Sequence, residues 1–164
     1  MSSPKILVQI DRQILVLTDH LQSIEYPVST ALNGVGQENG SGCTPLGKHI
    51  VRAKIGDGVA LDSVFVGRRA TGECYSERLA QQYPSRDWIL TRILWLSGMQ
   101  PGYNRLGSVD SMRRYIYIHG TPDTEPMGVP KSHGCIRMRN KDIVDLFDRV
   151  QTGCEVDIVS STNS

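Results

Sequence analysis

Tyr115–Met138 reads YIYIHGTPDTEPMGVPKSHGCIRM. Apolar and other side chains alternate from Arg113 to His119, which predicts a strand with Ile116 and Ile118 on one face and Tyr115, Tyr117 and His119 on the other. Gly120 lets the chain leave the sheet closely. A loop rich in proline and glycine then returns to Ser132-His133-Gly134-Cys135. A thiol reacts as thiolate, and a free pKa of about 8.5 leaves most of it protonated near neutrality. An imidazole, with an unperturbed pKa of about 6.5, can take that proton and later hand it to a leaving amine. One cysteine, two histidines and a glycine that bares backbone N–H groups are the parts of an acyl-transfer site.

Outward from this stretch the chain reads as mainly β. Ile6–Ile10 and Ile14–Leu17 are short β-branched runs parted by Asp-Arg-Gln, an opening hairpin. Tyr26–Leu32 is the next expected strand, and 33–47 is too glycine-rich for a regular element. Lys48–Ile55 returns to extended structure. Residues 59–67 read as loop plus strand, and Ser76–Gln82 as a short helical turn stopped by Pro84. Trp88–Leu96, WILTRILWL, is expected to be a core strand, and the loop Gly98–Ser108 to rim a groove. Asn140 is placed to cap a helix, with Ile143, Val144, Leu146, Phe147 and Val150 as its apolar stripe. Gly153 is expected to end that helix before a closing strand, Glu155–Val159. The predicted architecture is a β-sandwich or barrel with one clear helix after Cys135.

Composition narrows the function classes. The 164 residues are 39% hydrophobic and 21% charged, with a formal net charge of +1. That balance suits one ordinary domain and gives no argument for nucleic acid or an acidic membrane surface. The first apolar run ends at Asp11, too short for a membrane span and too soon interrupted for a signal-peptide core. A cytoplasmic location is therefore expected, and a periplasmic one where an export signal has been removed. Cys43, Cys74, Cys135 and Cys154 are unevenly spaced and form no zinc-binding pair, so neither metal nor cofactor is expected. Cys154 reads as a small buried hydrophobe, and Cys43 as structural or incidental.

Taken together, TPLGKHI (44–50), IHGT (118–121) and SHGCIRM (132–138) resemble the catalytic domain of the L,D-transpeptidases, also called YkuD-like. The likeness runs from Lys5 to about Val159 and treats residues 1–164 as a single domain. These bacterial enzymes act on the stem peptides of peptidoglycan. The resemblance implies a mostly β fold with a helix packed against it. It makes Cys135 the nucleophile and His119 the general base and acid, with a backbone carbonyl at or near Gly120 orienting the imidazole in place of a carboxylate. It places TPLGKHI beside the site, in a role of backbone geometry.

The remaining roles follow from residue chemistry. Gly134 and Cys135 offer successive N–H groups to an oxyanion, each such donor worth roughly 3 to 4 kcal/mol in the transition state. His133 supports or shapes the site, with direct proton transfer as the other reading. Ser132 fixes the turn or bonds to substrate. Arg137 binds a substrate carboxylate or sits in a structural ion pair. Tyr117 is groove wall.

The implied reaction has two steps. Cys135 attacks at the L-centre of diaminopimelate in a tetrapeptide stem, expels D-alanine and leaves a thioester for water or an amine to resolve. Recycled muropeptides and hydrolysis fit a cytoplasmic protein, and cross-linking of stem peptides an exported one. Carbapenems acylate the family's thiol, and penicillins are expected to react more poorly. A catalytically inactive peptidoglycan-binding module is the alternative of another class. A papain-like protease fits poorly, because Cys135 follows His119 by only sixteen positions.

Overall fold

A computed structural model describes residues 3–161. Met1 and Ser2 of the opening MSSPK, and 162–164, lie outside the described residues. Strands β1 (Lys5–Gln9) and β2 (Ile14–Thr18) form the expected hairpin, and β3 (Ser23–Ser29) continues it antiparallel. β3 starts and stops three residues earlier than the apolar pattern suggests. At Thr30 the chain leaves the ladder because its N–H is taken by the side chain of Gln13 at 2.9 Å, and the Ala31 N–H by Thr44 at 3.0 Å.

β4 (Gly47–Ile55) pairs with β10 (Glu155–Val159) on one side and with β7 (Ile89–Gly98) on the other. That double pairing closes the order β4-β10-β1-β2-β3-β9-β8-β7 into a barrel, where β8 is Tyr117–Thr121 and β9 is Ile136–Arg139. β5 (Ser63–Val66) and β6 (Arg69–Cys74) form a hairpin attached to β7 outside the ring. The sequence gives no sign of β6, because every one of its residues keeps some exposure and none supplies an apolar alternation.

Two α-helices complete the described residues. α1 (Glu77–Gln82) begins with Ser76 accepting the Leu79 N–H, as a serine at that position can. α2 (Asn140–Arg149) lies across β7, β8 and β9 and inserts Ile143, Leu146 and Phe147 into the main core with Val28, Leu94, Ile118 and Met138. Each fully buried side chain of this size contributes roughly 1.5–3 kcal/mol. Asn140 does not cap this helix. Its amide accepts from Thr91 at 2.6 Å and donates to Asp62 at 2.9 Å, tying the helix start to β7 and to the loop before β5. The helix also ends earlier than expected, at Arg149. Gly153 instead turns the chain toward β10, with its N–H on the Val51 carbonyl at 2.8 Å.

β7 is nearly continuous apolar sequence because it is buried on both faces. One face joins the main core. The other carries Ile93 into a second cluster with Phe65 and Tyr117, against which Cys135 packs. The strand expected over 113–119 begins only at Tyr117. Residues 111–115 are turn, because Asp110 accepts the N–H groups of Arg113 and Leu106 and folds the chain back before β8. The side-chain alternation nevertheless holds: Ile116 and Ile118 enter the main core, and Tyr117 faces the second cluster.

Candidate active site

Local bonding fixes the Ser132–Cys135 turn before β9. The Ser132 hydroxyl donates to the Cys135 carbonyl at 2.5 Å and accepts the Gly134 N–H at 3.3 Å. Thr44, from the TPLG segment, donates to the Gly134 carbonyl at 2.9 Å. Gly134 sits at φ +133°, with the Cys43 carbonyl 3.3 Å from where a Cβ would be. Both the strain of that φ and the crowding favour glycine. So Ser132 fixes the turn, and the Gly134 N–H already has a partner.

β8 and β9 run parallel, with Ile118 beside Ile136 and His119 beside Arg137. Extending that register by one puts Cys135 beside Tyr117, and strand alternation sets Tyr117, His119 and Cys135 on a common face. The bonding agrees. The Tyr117 N–H donates to Cys135 Sγ at 3.3 Å, and Sγ donates to the Tyr115 carbonyl at 3.3 Å. Burial pushes the thiol up to about 12, outweighing the Tyr117 N–H and the Arg137 and Arg114 guanidiniums that act the other way. The resting sulfur is therefore a protonated thiol, whose hydrogen bond goes to a main-chain oxygen.

His119 is 1% exposed, and its Nδ1 lies 2.6 Å from the Gly120 carbonyl. A carbonyl can only accept, so Nδ1 carries the proton and Nε2 of the neutral ring keeps its lone pair. Burial lowers the imidazole pKa below its usual value, which keeps it neutral at pH 7. Gly120 must be glycine for packing reasons. A Cβ there would lie 2.5 Å from Asn140 Oδ1 and 2.6 Å from the Leu90 carbonyl. Asp123 lies nearby in sequence but accepts from Asn140, at 3.3 Å.

These groups line a cavity of about 400 Å³ with Phe65, Arg68, Asp87 and Arg114. The loop 98–108 is not part of its wall. Asn104 holds that loop against β4, donating to the carbonyls of Leu46 and Lys48 at 3.1 and 3.0 Å. The rim comes instead from Gly67 and Arg68 of the β5–β6 turn and from Asp87. Arg137 has a nearly buried side chain whose guanidinium meets Asp87 at 3.0 Å and Glu125 at 3.7 Å. His133 is an exposed rim residue, with Nδ1 3.4 Å from the other Asp87 oxygen. Tyr117 is cavity wall, its hydroxyl accepting from Arg68 at 3.0 Å.

Four contributors escape a reading by motif. Asp87 lies in an unpatterned loop, and Arg68 in a hairpin that leaves no alternation. Arg114 spends its guanidinium on the carbonyls of Gly36, Gln37 and Cys43 and on the Ser41 hydroxyl, which organises the glycine-rich loop. Thr44 stands in a quoted motif, but its hydroxyl acts at a distance of ninety residues. Among the described residues no group of three or more His, Cys, Asp or Glu is placed to hold a metal ion, and no helix is long and apolar enough to cross a membrane.

The L,D-transpeptidase catalytic domain model matches residues 3–158. The chain belongs to that family. Among L,D-transpeptidases in the curated proteins, it is similar to Probable L,D-transpeptidase YbiS of Escherichia coli K12, 44% identical over 46 residues. That match takes in 28% of this chain and 15% of YbiS. Probable L,D-transpeptidase ErfK/SrfK of Salmonella typhimurium is 48% identical over a stretch of the same length, again 28% of this chain and 15% of the relative. Of the solved folds, L,D-transpeptidase 3 from Mycobacterium tuberculosis superposes with a TM-score of 0.58 at 15% identity, over 96% of this chain and 61% of that one. Bd1075 of Bdellovibrio bacteriovorus gives 0.59 at 19%, over 99% of this chain and 49% of that one. A structure of LdtMt1 was solved in complex with imipenem, and it superposes with a TM-score of 0.55 at 15% identity over 96% of this chain and 59% of that one. The L,D-transpeptidase barrel is thus shared, while this chain spans less than two thirds of the length of each of these relatives.

Proposed function

We propose that this L,D-transpeptidase family member is a cysteine acyl-transfer enzyme that removes D-alanine from peptidoglycan stem tetrapeptides by attack at the L-centre of diaminopimelate. One observation carries the chemistry: the Gly120 carbonyl commits His119 Nδ1 as donor, leaving Nε2 as a base on the face that bears Cys135. Nε2 takes the thiol proton as sulfur bonds to the scissile carbonyl. The oxyanion is received by the Cys135 and Gly134 N–H groups, the latter turning from Ser132. The imidazolium then protonates the departing amine of D-alanine, leaving a thioester. A water deprotonated by the same ring then attacks the thioester, and the imidazolium returns that proton to the departing sulfur, which releases tripeptide and restores the thiol. His119 thus serves as base and then acid in each of the two half-reactions.

Hydrolysis is the preferred second half, because a cavity of about 400 Å³, with Arg68 over Tyr115 in its lining, suits a water better than a second stem peptide. Recycled muropeptides are the matching substrate, and a cytoplasmic location goes with them. Cross-linking is the second reading, favoured by the names of the curated relatives. Purified protein given free tetrapeptide is expected to yield tripeptide plus D-alanine by mass spectrometry. Predominant dimer, or exchange of D-alanine for another D-amino acid, would establish transpeptidation instead. Cys135→Ala is expected to abolish release, while Cys43 and Cys74 replacements keep most of it. His119→Ala is expected to lose about 100-fold or more. A larger loss in His133→Ala would transfer the proton-handling role to that residue.

A further inference from the structure

The cavity holds three arginines in very different states. Arg137 is neutralised by Asp87 and Glu125, and Arg114 is consumed by four oxygen acceptors of the 36–43 loop. Arg68 faces no carboxylate among the described residues and, unlike Arg114, leaves most of its donors unspent. One of its five N–H donors reaches the Tyr117 hydroxyl at 3.0 Å. Its guanidinium carbon lies over two aromatic rings, 4.9 Å from the Trp95 ring centre and 4.6 Å from that of Tyr115. Such cation–π contact holds the guanidinium in place without spending its donors.

The backbone beneath it is unusual. Gly67 and Arg68 form a two-residue hairpin turn, and both have positive φ, 56° and 66°. Such a turn favours asparagine or glycine at its second position, and an arginine there is strained. In this turn the strained residue carries a guanidinium over the cavity. Tyr117 links it to the sulfur: the tyrosine's N–H bonds Cys135 Sγ and its hydroxyl bonds Arg68. The unpaired fork therefore stands one tyrosine side chain from the nucleophile, where the residue beyond a scissile carbonyl would lie.

We propose that Arg68 is the specificity residue that takes the free terminal carboxylate of the acyl-donor peptide, through two parallel N–H···O bonds. This rests on the acyl-transfer reading above and assigns to Arg68 the substrate contact that residue chemistry had suggested for Arg137. It makes the enzyme select peptides that end one residue beyond diaminopimelate, because only these bring a carboxylate to the fork.

Binding separates this proposal from the reaction itself. The Cys135→Ala variant, which cannot turn over, is titrated calorimetrically with tetrapeptide as free acid and as terminal carboxamide; the other carboxylates of the stem are common to both. The acid is expected to bind at least 10-fold more tightly, as a charge-assisted pair provides. Adding Arg68→Met is expected to bring the acid down to the amide's affinity and leave the amide within 3-fold. Arg68→Lys, which keeps the charge but not the fork, is expected to fall between. Equal binding of acid and amide by Cys135→Ala overturns the assignment, and so does a parallel loss of both in Arg68→Met, the signature of a merely structural stack. Selective binding of the acid, lost in Arg68→Met, upholds it even if the wild-type protein releases no D-alanine, a result that would count against the hydrolytic reading alone.

Discussion

The buried hydroxyl of Thr44 donates to the carbonyl oxygen of Gly134 at 2.9 Å. It also accepts the Ala31 N–H at 3.0 Å, so one side chain clamps the end of β3 to the turn before Cys135. Thr44→Val keeps the shape and removes both bonds. The expected result is a loss of about 2–3 kcal/mol in denaturant stability, since a buried donor and acceptor are left unpaired, with a fall in turnover. Unchanged stability and turnover would show that the turn is held without Thr44.

The resting thiol is the subject of a second prediction. With Cys135 pushed up to about 12 and His119 lowered, sulfur and imidazole are both neutral at pH 7. Thiolate becomes available only as pH rises. Iodoacetamide modification of Cys135 in the free protein is expected to be slower at pH 7 than that of the exposed Cys74, and to keep rising with pH beyond 9. Mass spectrometry of the separated peptides measures both sites together. Rapid labelling of Cys135 that levels off below pH 7 would instead reveal a preformed thiolate–imidazolium pair.

Acid stability supplies a third. His49 is fully buried, with Nε2 2.8 Å from the Ser111 hydroxyl and Nδ1 3.0 Å from the Gly47 carbonyl, and burial lowers its pKa from 6.5 to about 4. Below pH 6.5 the unfolded chain binds the proton that the folded one refuses. The stabilisation is therefore complete above pH 6.5 and is lost as pH falls toward 4, by about 3 kcal/mol. His119, also lowered, adds in the same direction. His49→Gln is expected to flatten the decline in urea midpoints between pH 6.5 and 4; an undiminished slope would rule out His49 as its source.

A fourth concerns Gly120. An added methyl meets the Asn140 amide oxygen and the Leu90 carbonyl, and the carbonyl cannot move without breaking β7 from β8. Gly120→Ala is expected to cost about 1–3 kcal/mol and to shift the carbonyl that orients His119. Activity should fall more than stability, read as kcat against the unfolding midpoint. Full activity would mean that the imidazole does not depend on this carbonyl.

Much of this was legible in the chain, for identifiable reasons. Apolar content exposed β7, and the Ser76 signal and the stripe 143–150 exposed both helices, because those features arise from neighbours in sequence. Asn140 misled because an amide that can cap a helix can also bond across it, and here Thr91 and Asp62 offered better partners. The position of the loop 98–108 before β8 points to the groove, whereas Asn104 anchors it at the start of β4. Arg68 and Asp87 reach the cavity only through pairing of distant segments, which leaves no local pattern. Arg137 had two open roles, and its carboxylate partners at 87 and 125 could not be seen from residue 137.

The parallel pairing of β1 with β10, Lys5 beside Glu155 through Gln9 beside Val159, has a consequence for how the protein is born. A ribosome delivers β10 after every strand it must join, and among the described residues β10 alone bridges β1 and β4. Until it arrives, β1 and β4 lack the strand that joins them, although the segments bearing Cys135 and His119 have already been made. Closure of the ring thus waits until β10 has been made. A truncation within Glu155–Val159 would leave every proposed reactive group in place on a sheet that cannot shut.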